Sequence, residues 1–197
     1  MTATHDTPPV WEAQLTSLRE RVASFFAQAQ ASQGIACEQG CTSCCHVDLG
    51  VSAVEAVRVQ EALAKLPDLI REELTDRAEA LASRAPSEEA LPCVMLDSTG
   101  TCVVYEERPM ICRTQGLALR YPPDFIPEEA LSARASDGSA LSWCPLCYTE
   151  SIPDRQNILD AVKIDELLGL IDLLYRSESP TESPERTLLR HLVVSSG

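Results

Sequence analysis

Apolar residues near the start of the chain recur at steps of three and four, which is the spacing of one face of an α-helix. Trp11, Leu15 and Val22 fall on that face. Pro9 stands where the first turn of a helix tolerates proline, and Gly34 is a residue type that commonly ends a helix. The pattern predicts a helix from Pro9 to about Gly34.

Two further helices are predicted on either side of a proline. The sequence SAVE, from Ser52 to Glu55, is a capping box, in which a serine hydroxyl and a glutamate carboxylate satisfy backbone N–H groups at a helix start. Pro67 ends this helix and opens another, whose apolar face runs from Leu69 to Leu81.

The middle of the chain has shorter apolar runs. Residues 93–96 and 101–105 flank the turn sequence Asp-Ser-Thr-Gly, which predicts two short strands in a hairpin. Residues 118–150 contain four prolines and little periodicity, so we expect irregular structure there.

A long helix is predicted over residues 154–176. Its expected inward face consists of Ile158, Leu159, Val162, Leu167, Leu170, Ile171 and Leu174. The polar sequence SESPTESP predicts a linker, and residues 185–194 predict a short amphipathic helix. The expected fold class is mostly α with a small β-hairpin, and a cysteine-rich metal-binding core is packed among the helices.

The length of 197 residues and the 45% of apolar residues are enough for one domain with a real core. We expect a disordered tail over residues 1–8 and a single cysteine-cluster domain over 9–176. The motifs of that domain lie within 35–150. Residues 177–197 are expected to form a polar linker and a short C-terminal helix.

The net charge of −14 argues against nucleic acid and anionic membranes as partners, because phosphate binding needs clustered Lys and Arg. The N-terminal sequence lacks the basic and apolar regions of a secretory signal, and no apolar run is long enough to span a bilayer. We therefore expect a cytoplasmic protein that binds neither nucleic acid nor a membrane.

Nine cysteines are the main chemical feature of the chain. The nine thiols are Cys37, Cys41, Cys44, Cys45, Cys93, Cys102, Cys112, Cys144 and Cys147. An odd number cannot pair completely within one chain, and cysteine clusters in a reducing cytosol are more often metal-binding or catalytic than disulfide-bonded. The long helical patterns contain none of them, although core cysteines would be expected at apolar helical positions. All nine are therefore candidate metal ligands.

The spacings leave the metal open. Cys37-x3-Cys41-x2-Cys44 supplies three thiols from one segment, as iron–sulfur sites often do, whereas a zinc site usually takes two thiols from each of two short loops. Cys45 follows Cys44 directly, so their side chains are expected to diverge towards different irons or different metals. The sequence Cys144-Pro-Leu-Cys147 is one such two-cysteine loop. Nine thiols allow two four-ligand sites with one left over, or one cluster and a structural zinc.

Two other uses of these spacings are less favoured. A redox dithiol at Cys144 and Cys147 lacks the βαβ context of such sites. Radical S-adenosylmethionine enzymes share the first spacing, but they need a longer α/β barrel than this chain provides.

Three polar side chains beside the cysteines are candidates for supporting roles. Arg108 and Arg113 flank Cys112 and are suited to compensating thiolate charge or binding an anion. The alternative is a structural ion pair with a glutamate such as Glu106. His46 follows the cysteine pair and is a possible metal ligand by its type and position, but with nine thiols available we expect it to lie at the surface or beside the ligands.

Three stretches together resemble a known family. They are CEQGCTSCC, the capped helix at Ser52, and LPCVMLDSTGTCVVYEERPMICR, with its phrase Tyr-Glu-x-Arg-Pro-x-x-Cys-Arg. They resemble the CxxCxxCC-type, or YkgJ-like, cysteine-cluster proteins, a family of zinc- or iron-chelating domains, over about residues 35–150. The chain departs from the family pattern in the x3 spacing after Cys37 and in having two late cysteines. Flagellin lysine methylases are similar to this family in their cysteine region.

The sequence and the resemblance lead to one preferred expectation. The chain is expected to hold an iron–sulfur cluster of the 4Fe–4S type, with a role in electron transfer to an unidentified partner or in support of a modifying reaction. The favoured ligands are the four thiols of residues 37–45, completed by Cys93, Cys102 and Cys112, with Arg108 and Arg113 beside the cofactor. One alternative is a non-catalytic zinc-binding module, and another is an iron–sulfur-dependent modifying enzyme.

Overall fold

The computed structural model describes residues 8–32, 34–38, 40–83, 92–179 and 184–194. Within them the helices are α1 (Val10–Ser32), α2 (Ala53–Leu63), α3 (Asp68–Ala82), α4 (Met110–Arg113), α5 (Ala161–Glu178) and α6 (Leu189–Val194). The strands are β1 (Gly50–Val51), β2 (Ala118–Tyr121), β3 (Ala133–Arg134), β4 (Ala140–Ser142), β5 (Ile158–Asp160) and β6 (Thr187–Leu188). The prediction of a mostly α-helical fold is confirmed. The predicted tail, except for its last residue, and the centre of the predicted linker lie outside the described residues.

The first helix forms where its apolar spacing predicts it. Trp11, Leu15 and Val22 are buried in the larger of two hydrophobic cores, and Trp11 meets Tyr175 of α5 edge-on at 5.1 Å between ring centroids. Helices α1 and α5 therefore contribute to the core in which Cys147 is buried and against which Cys37 and Cys144 pack.

The predicted hairpin is wrong in extent. Only a single antiparallel bridge forms between Leu96 and Cys102. The Asp97 carboxylate accepts from the backbone N–H groups of Thr99 at 2.8 Å and Thr101 at 2.9 Å, which holds a compact loop in place of a longer ladder. The chain turns on both sides of the bridge and carries its cysteines with it.

The prediction of irregular structure over residues 118–150 is partly wrong, because this stretch contains the three strands β2, β3 and β4. The four-stranded sheet has the order β3-β4-β2-β5, in which β2 and β5 are parallel and the other pairs antiparallel. Each strand has two to four residues. Strands this short leave no clear alternating pattern in the sequence.

The long helix predicted from residue 154 begins only at Ala161, because residues 158–160 form β5. The carboxylate of Asp160 accepts from the Lys163 backbone N–H at 3.2 Å and caps the helix start. The predicted inward face is also partly wrong. Leu168 and Ile171 are buried, whereas Leu170 is 59% exposed and Leu167 and Leu174 are also exposed.

The C-terminal segment joins the second core. Strand β6 pairs with β1. Helix α6 begins at Leu189 and not at residue 185, as the sequence had predicted. Leu189, Leu192 and Val193 pack with apolar residues of α2 and α3, which include the buried Leu74. On α3, Leu69 is exposed in spite of its predicted position on the inner face. No described helix is long and apolar enough to cross a membrane.

Glu107 connects α1, α2 and the turn before α4. Its carboxylate pairs with Arg19 and Arg58, and the three side chains are at most 25% exposed. Burial acts to raise the pKa of Glu107, but the two guanidinium groups outweigh it and lower that pKa below its usual 4.5.

Replacing Glu107 with glutamine is expected to lower the free energy of unfolding by about 1–2 kcal/mol at neutral pH, because Arg19 is left mostly buried without its ion pair. A depressed folded-state pKa contributes stability above the unfolded value, and this contribution disappears as the pH falls through the folded one. The parent should therefore lose stability more steeply in acid than the variant. Urea unfolding between about pH 7 and pH 3 measures both slopes. Glu106→Gln, at an exposed neighbour, is the control, and equal slopes for parent and Glu107→Gln would contradict the prediction.

Candidate metal centre

The nine thiols are all free, and the fold sorts them into two groups. The four-thiol group consists of Cys37, Cys41, Cys144 and Cys147, whose thiols interact with that of Cys37. The five-thiol group consists of Cys44, Cys45, Cys93, Cys102 and Cys112, whose thiols interact with that of Cys45. The run CEQGCTSCC is thus divided, with two thiols in each group.

Two short turns bring the four-thiol group together. The Cys41 N–H donates to the Glu38 carbonyl at 3.1 Å, and the Cys147 N–H donates to the Cys144 carbonyl at 2.8 Å. The Sγ atoms of Cys37 and Cys147 are 4.0 Å apart, although 110 residues separate them. Cys147 is buried, and the other three are partly exposed.

Two backbone features allow Cys37 and Cys147 to meet. Gly116 has a φ of +86°, and a Cβ at this position would lie 2.4 Å from Cys37 Sγ. Tyr148 has a φ of +55°, which is uncommon for a bulky residue, and its N–H donates to the Gly34 carbonyl at 3.3 Å. Any side chain at position 116 would therefore push the Cys37 thiol out of place.

The five-thiol group is assembled from three segments. The Cys93 N–H donates to the Cys45 carbonyl at 2.7 Å, which fixes the second segment against the first. The thiols of Cys93 and Cys102 also receive hydrogen bonds from backbone N–H groups two residues further on, at Met95 and Val104. These N–H groups face sulfur beside the single bridge of Leu96 and Cys102. Hydrogen bonds of this kind favour the thiolate form.

The side chains of Cys44 and Cys45 do not diverge, contrary to the prediction. Their thiols are hydrogen-bonded, which raises the pKa of Cys44 and lowers that of Cys45. A turn closed by the Cys45 N–H and the Thr42 carbonyl, at 2.8 Å, brings both side chains to one side. Cys44 is the one exposed residue among the nine cysteines.

Cys112 lies on the single turn of α4, which Pro109 opens. The buried carboxylate of Glu55 accepts from the Met110 N–H at 2.6 Å, from the Ser52 N–H at 3.3 Å and from the Ser52 hydroxyl at 2.9 Å. The predicted capping role of Glu55 is confirmed. The same carboxylate fixes the start of α4, and thereby the position of Cys112.

A cavity of about 510 Å³ is lined by thiols from both groups. All five members of the five-thiol group line it, as do Cys37 and Cys41 of the other group. Cys144 and Cys147 do not line it. Three arginines, Arg19, Arg108 and Arg113, also line it.

Neither predicted arginine forms the alternative ion pair with a glutamate. Within the described ranges no carboxylate lies within 4.0 Å of Arg108 or Arg113. Arg108 stacks on the Tyr105 ring, 3.5 Å from its centroid, and Arg113 donates to the Arg108 carbonyl at 2.8 Å. Burial and the guanidinium groups of Arg19 and Arg108 lower the pKa of Arg113. In a chain with almost twice as many acidic as basic residues, three arginines at one cavity favour the binding of negative charge there.

The cysteine thiols carry negative charge only when a metal ion is bound. Burial and neighbouring thiols raise the pKa of Cys37 and of Cys112 to about 12. At neutral pH both are therefore protonated in the absence of metal. A bound metal ion reverses this balance and releases protons as it binds.

As the side chains stand, no three of the described His, Cys, Asp or Glu residues are arranged around a point where an ion would be bound. The donor chemistry nevertheless fits a metal, since thiolates are soft ligands for zinc and iron and every donor here is a thiol. In tetrahedral zinc sites the Zn–S distance of about 2.3 Å corresponds to sulfurs about 3.8 Å apart. The 4.0 Å between Cys37 and Cys147 is close to that value.

His46 is exposed and does not line the cavity, in agreement with the expected surface position. Sequence reasoning missed three contributors to the site: Gly116, Arg19 and the contact of Glu55 with the start of α4. Of these three, only Gly116 could have been suspected from the sequence, because it is a glycine that closely follows Cys112 and Arg113. The other two depend on contacts between distant parts of the chain.

A family model described as "Putative zinc- or iron-chelating domain", CxxCxxCC, matches residues 36–145. The match covers more than half of the chain and includes every cysteine except Cys147, which lies two residues beyond it. Comparisons with curated proteins and with solved structures found no match.

Proposed function

This chain belongs to the CxxCxxCC family of zinc- or iron-chelating domains, and we propose that its five-thiol group holds an iron–sulfur cluster of the 4Fe–4S type. The observation that carries this proposal is that all five of these thiols line one cavity together with three arginines. The family description supports chelation of zinc or iron. The choice of a cluster rests on the geometry of the cavity and its ligands.

The cavity is too large for a single ion. Its volume of about 510 Å³ compares with about 30 Å³ for one water molecule in the liquid. The ligands also come from a cysteine run and from more distant segments, which is the usual supply for iron–sulfur clusters. Because each iron of a cluster takes its own thiolate, thiols spread around a cavity suit a cluster better than one ion.

The proposed ligands are Cys45, Cys93, Cys102 and Cys112. They are partly shielded from solvent, and the Cys45 thiol interacts with the other three. Cys44 is exposed and is hydrogen-bonded to Cys45. It is therefore assigned to the surroundings of the cluster, and the four shielded thiols are assigned to its irons.

Arg108 and Arg113 would balance the charge of the thiolates. The Arg108 guanidinium interacts with the thiols of Cys44, Cys102 and Cys112, and it favours their ionised forms. Cations and hydrogen bonds near a cluster raise its reduction potential, since they favour the more negative reduced state. The bound cluster would supply one-electron chemistry, and the chain would hold it, shield it and set its charge environment. Its role would be electron transfer or support of a modifying reaction.

A second candidate function is an enzyme that brings a small anionic substrate to the cluster. The supporting observation is that Arg108 and Arg113 reach the cavity without a carboxylate partner among the described residues. The cavity volume is also within the range of small-molecule sites. A cluster that fills the cavity and leaves the arginines no room for an anion would remove this candidate.

Anaerobic purification followed by iron, zinc and sulfide analysis on one sample tests the proposal. We expect about four irons and four sulfides per chain and an absorbance band near 400 nm. A colourless protein that contains zinc and no sulfide would overturn it and would leave a zinc-binding module.

A further inference from the structure

We infer that the four-thiol group is a second and separate metal site, and that it binds zinc with a structural role. Its ligands are Cys37, Cys41, Cys144 and Cys147. This site is distinct from the cluster proposed above, and its ligands are not among those of that cluster.

The spacing and the turns fit zinc. Cys37-x3-Cys41 and Cys144-x2-Cys147 each provide two thiols from a short turn, which is the usual ligand supply of a closed structural zinc site. The 4.0 Å between the Sγ atoms of Cys37 and Cys147 is close to the edge of a zinc–thiolate tetrahedron, about 3.8 Å. Thiolates that bind different irons of a cluster need not approach so closely.

Two members of the four-thiol group are set apart from the cavity, although Cys37 and Cys41 line it. Cys144 and Cys147 do not line the cavity on which the whole five-thiol group opens. Cys147 is 1% exposed and lies in the same hydrophobic core as Ile35 and Leu117. A metal held there would tie the segment before β5 to the segment after α1.

The backbone around Cys37 and Cys147 is arranged for this contact. Gly116 leaves just enough room for the Cys37 thiol, since any Cβ would lie 2.4 Å from that sulfur. Tyr148 adopts a φ of +55° directly after Cys147, and its ring packs against Trp143 at 5.8 Å between centroids. Tyr148 is buried in the same hydrophobic core as Cys147, and Cys37 packs against that core.

Zinc binding would require each coordinating thiol to lose its proton to solvent. No electron is transferred, because zinc has no redox chemistry in such sites. The inferred role is therefore to hold two distant segments together beside the cavity.

X-ray absorption at the zinc edge of the unmodified, anaerobically purified chain is the first test. We expect one zinc per chain with four sulfur ligands at about 2.3 Å. Nitrogen or oxygen ligands, iron in place of zinc, or no bound metal beyond the cluster would overturn the inference. This measurement needs no variant and so does not depend on whether a variant folds.

Variants then assign the ligands. Cys144→Ser and Cys147→Ser are expected to lose the zinc and to keep the iron, the sulfide and the visible band. Cys93→Ser and Cys102→Ser should lose iron and sulfide and keep zinc. Loss of zinc from both pairs, or of iron from the first pair, would show that the thiols form one shared site. Iron and zinc are counted separately, so failure of this inference and failure of the proposed cluster are distinguishable.

A glycine variant tests the site without removing a ligand. Gly116→Ala should displace the Cys37 thiol and reduce the zinc content several-fold. Gly138→Ala is the matched control, because its φ of +85° is equally unsuited to alanine but no atom lies within 4 Å of the added Cβ. Equal zinc contents in the two variants would contradict the role assigned to Gly116 and to Cys37.

Discussion

Serine at Cys112 is expected to remove the iron–sulfur cluster almost completely. Iron and sulfide should fall from about four per chain towards zero, and the absorbance near 400 nm should disappear. The physical reason is that a hydroxyl is a poor ligand for iron in such clusters, for which soft thiolates are preferred. Cys112 is also held in place by α4, so serine would occupy the same position without offering a thiolate.

The matched control for this prediction is Cys44→Ser. Cys44 belongs to the same five-thiol group, but it is exposed and donates a hydrogen bond to Cys45. Its replacement should leave most of the iron in place and should change the environment of Cys45 only. If Cys44→Ser loses the cluster and Cys112→Ser retains it, the proposed ligand set is wrong. If Cys112→Ser alone retains iron, the double variant Cys44→Ser/Cys112→Ser shows whether the Cys44 thiol has replaced Cys112 as a ligand. Loss of iron only in the double variant would mean that it has.

The loss of the cluster should also reduce stability, because metal binding and folding are coupled when ligands come from distant segments. The Cys112→Ser variant is therefore expected to unfold at a lower temperature than Cys44→Ser. Thermal unfolding followed by far-ultraviolet circular dichroism measures the difference. Equal melting temperatures would mean that the five-thiol group contributes nothing to holding its three segments together.

The long helices were predictable because each has a local cause. The periodic spacing of α1 and the capping box of α2 are contained in a few neighbouring residues. The face of α5 was not predictable, since its leucines surround the helix and only packing against α1, α2 and β2 decides which are buried. Helix α5 also begins late because residues 158–160 pair with β2, some 40 residues away.

The cysteines as a set were predictable, but their division was not. The sequence places Cys37, Cys41, Cys44 and Cys45 together, whereas the fold sends the first two towards Cys144 and Cys147. That outcome depends on contacts such as the hydrogen bond from the Tyr148 N–H to the Gly34 carbonyl, which joins residues more than 100 positions apart. Spacing alone suggests which residues can bind a metal, and long-range contacts decide which of them bind it together.

Glu55 shows how a local motif gains a second role that only the fold reveals. As a capping residue, Glu55 accepts a hydrogen bond from the Ser52 N–H. It also accepts one from the Met110 N–H at 2.6 Å, although 55 positions of sequence separate the two residues. A second acidic residue supports the same helix start, since Asp172 of α5 accepts from the Val54 N–H at 2.8 Å. The start of α2 is thus linked to both α4 and α5.

Replacing Glu55 with alanine is expected to lower the free energy of unfolding by about 2–4 kcal/mol. The estimate combines the loss of a helix cap, about 0.5–2 kcal/mol, with about 1–3 kcal/mol for leaving the buried Met110 N–H without an acceptor. Glu55→Gln should cost less, because the amide oxygen still accepts one hydrogen bond, although its NH2 group then faces a donor. Urea unfolding of the metal-loaded chain measures all three proteins.

The matched control is Glu61→Ala on the same helix. The Glu61 carboxylate is 46% exposed and pairs with Arg58 at 2.8 Å, so its removal should change stability by less than about 0.5 kcal/mol. Because Cys112 lies two residues after Met110, Glu55→Ala should also release iron to a chelator faster than Glu61→Ala does. A Glu55→Ala variant with the parent's stability and the parent's iron-release rate would show that α4 is held in place by the metal ligands alone, and that the carboxylate of Glu55 is not needed to position Cys112.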